Sequence, residues 1–340
     1  IMDLANHSKE DILELYDELK KSVEVALEEN VYRVVYTISV GIVEIDKEMK
    51  DYDTLIKYSD FALNEAKKKG KNSCYFFTQD KHKQFIRRRE IRVELQNAVD
   101  HNFKNFDVYY QPIIDIHTRN LIGAEALMRF KMKRNEQIEF IPILEESGLI
   151  IPAGRWILRQ AVACCKKWQE FIPEFKVNVN LSYVQIIKSK ILDEIKQALK
   201  DFNLKPALLG IEVTESGYLE NTYHYKKLWS SLKEEGITLI LDDYGTGYSN
   251  AYRLSDLTPH YIKIDRVLTQ KALSSNYERS ILIYIIEMAH SLKLNVCIEG
   301  VETEEELQEI KKLNPDYIQG YLFGKPAPED EFYNRQIKKK

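Results

Sequence analysis

From Phe106 to the end of the chain, short apolar runs alternate with segments of helical periodicity. The runs lie at 108–114, 121–127, 175–181, 208–214, 237–241, 261–264, 295–298 and 317–318. Between them, apolar residues at three- and four-residue spacing predict helices over 153–171, 183–202, 223–235, 277–292 and 303–313. Strand–helix alternation on this scale predicts an α/β fold, either a closed barrel or an open doubly wound sheet. No glycine-rich dinucleotide loop follows any of the runs, which weakens the open nucleotide-binding version. The sharpest stretch is ITLILDDYGTG, residues 237–247, in which an apolar run leads straight into two aspartates and a glycine-punctuated turn. A run of that kind predicts a strand buried on both faces, as in a parallel sheet.

Upstream the pattern differs. Ile12, Leu13, Tyr16, Leu19, Val23 and Ala26 predict a helix over 9–29. The segment 31–43, rich in β-branched residues and tyrosine, predicts a strand or hairpin. Leu55, Tyr58, Ala62 and Ala66 share one face of a second helix over 52–69, which ends in lysines and Gly70, and a short strand over 73–77 follows. These make a small α+β unit. Residues 81–102 are charged and poor in Gly and Pro, so they predict a helical connector. Its Arg87-Arg88-Arg89 run reads as a solvated face. The expected division is therefore 1–80, 81–102 and 103–340.

Length and composition narrow this little. The chain has 340 residues, 44% hydrophobic and 30% charged, as for two soluble domains or a barrel with an attachment. A net charge of -4 gives no support for a polyanion-binding surface. No apolar run approaches the roughly 18 residues that a membrane helix needs. The start, Ile1-Met2-Asp3-Leu4, has neither a basic segment nor an apolar core, so no signal peptide is expected and the chain reads as a fragment of something longer. Cys74, Cys164, Cys165 and Cys297 match no zinc spacing and are expected to be reduced thiols of a cytoplasmic protein.

The chemistry stands at the ends of the runs. Glu125 lies in the second, Asn178 and Asn180 in the third, and Glu212 and Glu215 at the fourth. Asp242 and Asp243 follow the fifth, Lys263 and Asp265 mark the sixth, Glu299 and Glu302 the seventh, and Gln319 the eighth. Singly, each has a plain structural role: Glu215 or Asp265 would cap a helix, and Gln319 would bond a loop. Together, at the C-terminal ends of barrel strands, they converge on one point. Carboxylates and amides without Cys or His are hard oxygen ligands, which suit Mg²⁺ or Mn²⁺. Adjacent Asp242 and Asp243 would serve two ions, one carboxylate bridging, and Lys263 would orient water or offset charge. That set fits metal-assisted phosphodiester hydrolysis.

Glu125-Ala126-Leu127-Met128-Arg129-Phe130 resembles the signature of the EAL family of cyclic di-GMP phosphodiesterases. So do Tyr110-Gln111-Pro112, Val179-Asn180-Leu181-Ser182, Glu212-Val213-Thr214-Glu215, Asp242-Asp243-Tyr244-Gly245-Thr246-Gly247, Lys263-Ile264-Asp265, Glu299-Gly300-Val301-Glu302 and Gln319-Gly320-Tyr321, in the family's order across 90–330. The resemblance implies a modified TIM barrel whose first strand is antiparallel, and metal-dependent hydrolysis of cyclic di-GMP to pGpG. It implies Glu125, Asn180, Glu212 and Asp242 as ligands of a first ion, and Asp243 as ligand of a second with Asp242 bridging. Lys263 would place the water, and Glu299 would be the general base or a second-ion ligand. Glu215 would steady the 242–247 loop. Gln111, Leu127 and Arg129 would contact substrate, with Asp265, Glu302 and Gln319 as further substrate or supporting residues. Phe130, Tyr244 and Ile298 depart from the common residues, and Ile298 adds bulk beside Glu299. Family members pair their barrels near the Asp-Asp loop, so a homodimer is expected.

Residues 3–78, with Thr37-Ile38-Ser39-Val40-Gly41-Ile42-Val43 and the Ala62–Asn72 run, resemble the C-terminal half of a GGDEF diguanylate cyclase domain lacking its signature loop. A structural or regulatory part is expected of this piece. Two rivals stand beside the enzyme: a receptor that binds cyclic di-GMP without cleaving it, and a glycosidase using Glu212 and Glu299. The glycosidase leaves Asp242-Asp243, Asn180 and Lys263 without a task.

Overall fold

A computed structural model describes residues 8–28, 37–45, 51–132, 139–214, 222–245, 254 and 258–338. The chain folds as two compact units, 1–91 and 92–340. In the first, helices Lys9–Glu28 and Tyr52–Lys68 accompany two short strands, β1 (Val40–Ile42) and β2 (Cys74–Phe76), which pair in parallel. Asp51 caps the second helix by accepting from the Asp53 N–H at 3.2 Å and the Thr54 hydroxyl at 2.6 Å. That helix buries Phe61, Ala62 and Ala66 against Tyr75, with Phe77 and Phe85 closing the cluster. Of the strand or hairpin expected over 31–43, Val40–Ile42 is a strand, and residues 31–36 lie outside the described residues. The charged helix runs Gln79–Asp100, and left-handed Asn102, Phe103 and Asn105 turn the chain after it.

The second unit is a closed barrel. Its strands are β3 (Phe106–Asp115), β4 (Leu121–Phe130), β5 (Lys176–Asn180), β6 (Leu209–Thr214), β7 (Thr238–Tyr244), β8 (Tyr261–Ile264), β9 (Asn295–Glu299) and β10 (Tyr317–Gln319). Each pairs with the next, and β10 closes the ring on β3. The pairs from β4 to β10 are parallel, whereas β3 is antiparallel to both its neighbours. This is a modified TIM barrel. The two-residue strand Ala327–Pro328 adds to β3 outside the ring. Helices Ile141–Ser147, Ile150–Trp168, Tyr183–Lys188, Ile191–Phe202, Thr222–Glu234, Arg266–Ser274, Asn276–Ser291 and Glu304–Lys311 connect the strands. The helix expected over 183–202 is two helices, broken where Ser189 turns extended (φ -128, ψ 173).

Outside the barrel the core is aromatic: Trp168 stacks on Phe332 at 4.7 Å and meets Tyr110 edge-on at 4.8 Å. Inside, alternation along the strands builds layers. Ile113, Ile240, Tyr261 and Cys297 form an apolar floor with Ile122 and Tyr317. Two residues further along β5, β7, β8, β9 and β10 stand Asn180, Asp242, Lys263, Glu299 and Gln319. All four cysteines are free. No helix among the described residues is long and apolar enough to cross a membrane.

Candidate active site

Period-two alternation delivers one polar side chain from each barrel strand to the same mouth. Glu125 is held by a cross-strand position opposite Gln111, Asn180 lies opposite Glu212, and Gln319 opposite Glu299. At the centre is Lys263, with no exposed surface. Its ammonium lies 2.7 Å from Glu299, 2.9 Å from Glu125, 3.0 Å from Glu212 and 3.5 Å from Asp242. The ammonium donates to Glu125 Oε2 and Glu212 Oε2, and Glu299 and Asp242 pair with its charge. Asn180 Nδ2 donates to Glu125 Oε1 at 2.7 Å, and Gln319 Nε2 donates to Glu125 Oε2 at 2.7 Å and Gln111 Oε1 at 3.1 Å.

Asp242 and Asp243 need an explanation, because neighbours on a regular strand face opposite sides. The pairing of β7 with β8 slips between Leu241 and Tyr244, a bulge at these two residues. Asp243 takes a left-handed conformation (φ 57) and Gly245 follows at φ 105. A bulge re-aims a side chain, so the Asp243 carboxyl comes under the field of Asp242, Asp265, Lys263 and Glu125. Its N–H donates to Asp242 Oδ1 at 2.9 Å.

The electrostatics are lopsided. Burial alone would discharge Lys263, but Asp242, Glu125, Glu212 and Glu299 hold it well above the usual lysine range, so it is a fixed cation. Burial and the Glu125 charge push Glu212 far up. Burial works against Glu125 as well, yet Lys263, Gln319 and Asn180 keep it ionised. Burial, then Asp242 and Asp265, raise Asp243 to about 6. Burial raises Glu299 to about 7 against the pull of Lys263, and the Asp242 and Glu125 charges add to the rise. One lysine thus faces more negative charge than it balances. Glu125, Glu212 and Asp242 each bring a carboxylate oxygen within 4.8 Å of the others. Gln319 Oε1 is buried without a hydrogen-bond donor. An oxygen-only donor set, surplus negative charge and an unanswered buried acceptor fit hard divalent cations.

These shifts predict a pH effect on the metal-free protein. A carboxyl whose folded pKa is raised carries no penalty below its unfolded value near 4, and destabilises increasingly as pH rises through the folded value. For Glu299 the window runs from 4.5 to about 7. In EDTA, Glu299→Gln should gain on the parent chain by on the order of 3 kcal/mol between about pH 4 and pH 8. Urea unfolding at several pH values measures it, and a pH-independent difference would contradict the assignment.

Other expected site residues stand at the edge. Leu127 and Arg129 lie at the end of β4, where Arg129 donates to Met128 O at 3.0 Å and covers the Tyr109 ring at 5.6 Å. Asp265 caps the helix Arg266–Ser274 through the Val267 N–H at 2.7 Å. Glu302 pairs with Arg266 at 2.7 Å. Glu215 and the 246–250 part of the Asp-Asp loop lie outside the described residues. Ile298 does not crowd Glu299: it sits opposite Ile264 and Ile318, fully buried, on the other face of β9. Strand alternation sends its bulk into the layer between barrel and helices. Two residues with no role implied by the resemblance join the site: Asn178, which donates to Glu212 Oε1 at 2.8 Å, and Tyr261, bonded to Asn178 in turn. Their signal was period two, since each stands two residues before a site residue on the same face.

Fold and site together define a closed α/β barrel with an acidic, lysine-centred mouth. Residues 92–326 match the family described as EAL domain, and this chain belongs to that family. Residues 1–73 match the family described as diguanylate cyclase, GGDEF domain. Among curated relatives, the signaling protein YkoW of Bacillus subtilis is 33% identical over 305 residues, covering 88% of this chain and 38% of that protein. The cyclic di-GMP phosphodiesterase PdeR of Escherichia coli is 30% identical over 312 residues, covering 90% and 47%. This chain therefore spans less than half the length of these relatives. A solved structure described as the PaMucR phosphodiesterase in complex with c-di-GMP aligns with TM-score 0.67 and 29% identity, covering 72% of this chain and 99% of that one.

Proposed function

We propose that this chain hydrolyses cyclic di-GMP to linear pGpG with two bound Mg²⁺ or Mn²⁺ ions at the barrel mouth. The observation that carries this is the crowd of carboxylates that one buried lysine does not neutralise, at the C-terminal ends of the strands of an EAL barrel. In this reading Glu125, Asn180, Glu212 and Asp242 would hold one ion, and Asp243 and Asp242 would hold the second. The ions would supply Lewis acidity and lower the pKa of a water. Lys263, held as a cation, would place the attacking water and offset charge developing on the phosphate. Glu299, whose carboxyl lies near 7, is suited to take the proton. Gln111, Leu127, Arg129, Asp265, Glu302 and Gln319 line or support the substrate's position, Arg129 at a phosphate, and Glu215 steadies the Asp-Asp loop. Residues 1–80 are read as a structural or regulatory domain, 81–102 as a connector and 103–340 as the catalytic barrel, working as a cytoplasmic homodimer.

The test is incubation of the purified chain with cyclic di-GMP and Mg²⁺ or Mn²⁺, with an EDTA control and chromatography of the products. Metal-dependent pGpG is expected. Intact nucleotide despite measurable binding would replace the enzyme with a receptor.

A further inference from the structure

We propose that Asn178 and Tyr261 are positioning residues that set the Glu212 carboxylate for the cation site from the layer beneath it. The inference rests on the metal-dependent reading above and adds residues that reading does not use. Glu212 is completely buried, and each of its oxygens is held from a different side. Lys263 reaches Oε2 at 3.0 Å, and Asn178 Nδ2 reaches Oε1 at 2.8 Å. The second proton of the same amide goes to the Tyr261 hydroxyl. An amide nitrogen has two protons, so these bonds use both and leave Asn178 one orientation. Tyr261 is in turn fixed by its ring, packed with Ile113, Ile240 and Cys297 and edge-on to Tyr317 at 5.8 Å. The chain from floor to mouth is therefore Tyr261, Asn178, Glu212.

The neighbouring strand makes room for it. Gly210 sits opposite Asn178, and a Cβ there would fall 2.2 Å from Asn178 Oδ1 and 2.7 Å from Ile240 Cδ1. Any side chain at 210 would push the amide off Glu212. A merely satisfied polar pair of the core would also be bonded and buried, so the distinction lies in the ion. Partners behind a metal ligand fix its rotamer and tune its basicity, and losing one costs about 10–100-fold in metal affinity.

The experiment titrates Mn²⁺ into the whole chain, without nucleotide, by calorimetry, and records the unfolding midpoint of each variant in EDTA. Asn178→Ala should bind Mn²⁺ about 10–100-fold more weakly while remaining folded. Tyr261→Phe and Gly210→Ala should weaken binding in the same direction by up to about tenfold. Asn295→Ala is the control: Asn295 donates to the Tyr317 hydroxyl at 3.3 Å at the same end of the barrel, and its Mn²⁺ affinity should stay within about twofold. Parental affinity in folded Tyr261→Phe and Gly210→Ala would overturn the inference, even if Asn178→Ala fails to fold. No Mn²⁺ binding by the parent chain would instead remove the metal reading itself, and this inference with it.

Discussion

Lys263→Met should unfold far more easily than the parent chain when divalent ions are absent, by about 3–5 kcal/mol near pH 8. The side chain it removes is buried and lies within 3.0 Å of Glu125, Glu212 and Glu299. Methionine fills a similar volume but leaves those acids without a counter-charge in a dry interior, where an unpaired charge is costly. The protein can escape only by protonating them, so the penalty should shrink as pH falls toward about 5. Saturating Mn²⁺ should restore much of the lost stability, because a cation that binds the folded state stabilises it by mass action. Turnover should still fall by on the order of 10²–10³, since an ion cannot replace a directed ammonium. Urea unfolding in EDTA and in Mn²⁺, at two pH values, separates these effects. A variant as stable as the parent in EDTA near pH 8 would show that Lys263 is not the charge that holds the acids together.

That prediction depends on a geometry the sequence makes partly legible. Parallel strands in an α/β barrel read as apolar runs, and the polar residue at each run's end projects into the mouth because the ring is closed. Glu125, Glu212, Lys263 and Gln319 could be placed together on that ground alone. The details that depend on local backbone were not legible. Nothing in DDYGTG marks the bulge between Leu241 and Tyr244, or the left-handed Asp243. Apolar periodicity runs on through Ile186, Ile187 and Ile191, which conceals the break at Ser189. Adjacency in sequence sets Ile298 beside Glu299, whereas the pleat puts adjacent residues on opposite faces. Asn178 stands among the polar run ends and Tyr261 two residues before Lys263, but the bond that joins them links strands far apart in sequence and has no local signature.

Asp242→Asn should move activity and stability in opposite directions. Asparagine keeps the shape and an oxygen for the Asp243 N–H, which now donates at 2.9 Å. It removes the charge proposed to be shared between two ions. Metal activation contributes several kcal/mol to such chemistry, so hydrolysis should drop by on the order of 10³ or more. The folded, metal-free protein should gain. Burial raises the Asp242 carboxyl, and Glu125 adds to the cost of ionising it, with only part of this offset by Lys263 at 3.5 Å. Relieving that crowding should raise stability in EDTA near pH 8 by about 1 kcal/mol, as sites built for function are often strained. Mn²⁺ should then stabilise the variant less than the parent, so the two chains converge or cross as metal is added. A residue kept for structure would behave otherwise: its loss would lower stability with and without metal. Product chromatography together with unfolding in EDTA decides between these outcomes, and a destabilised variant that still makes pGpG at the parental rate would remove Asp242 from the site. Read with Lys263→Met, the pair tests the charge argument from both sides, because removing the cation and removing one anion must shift metal-free stability with opposite sign.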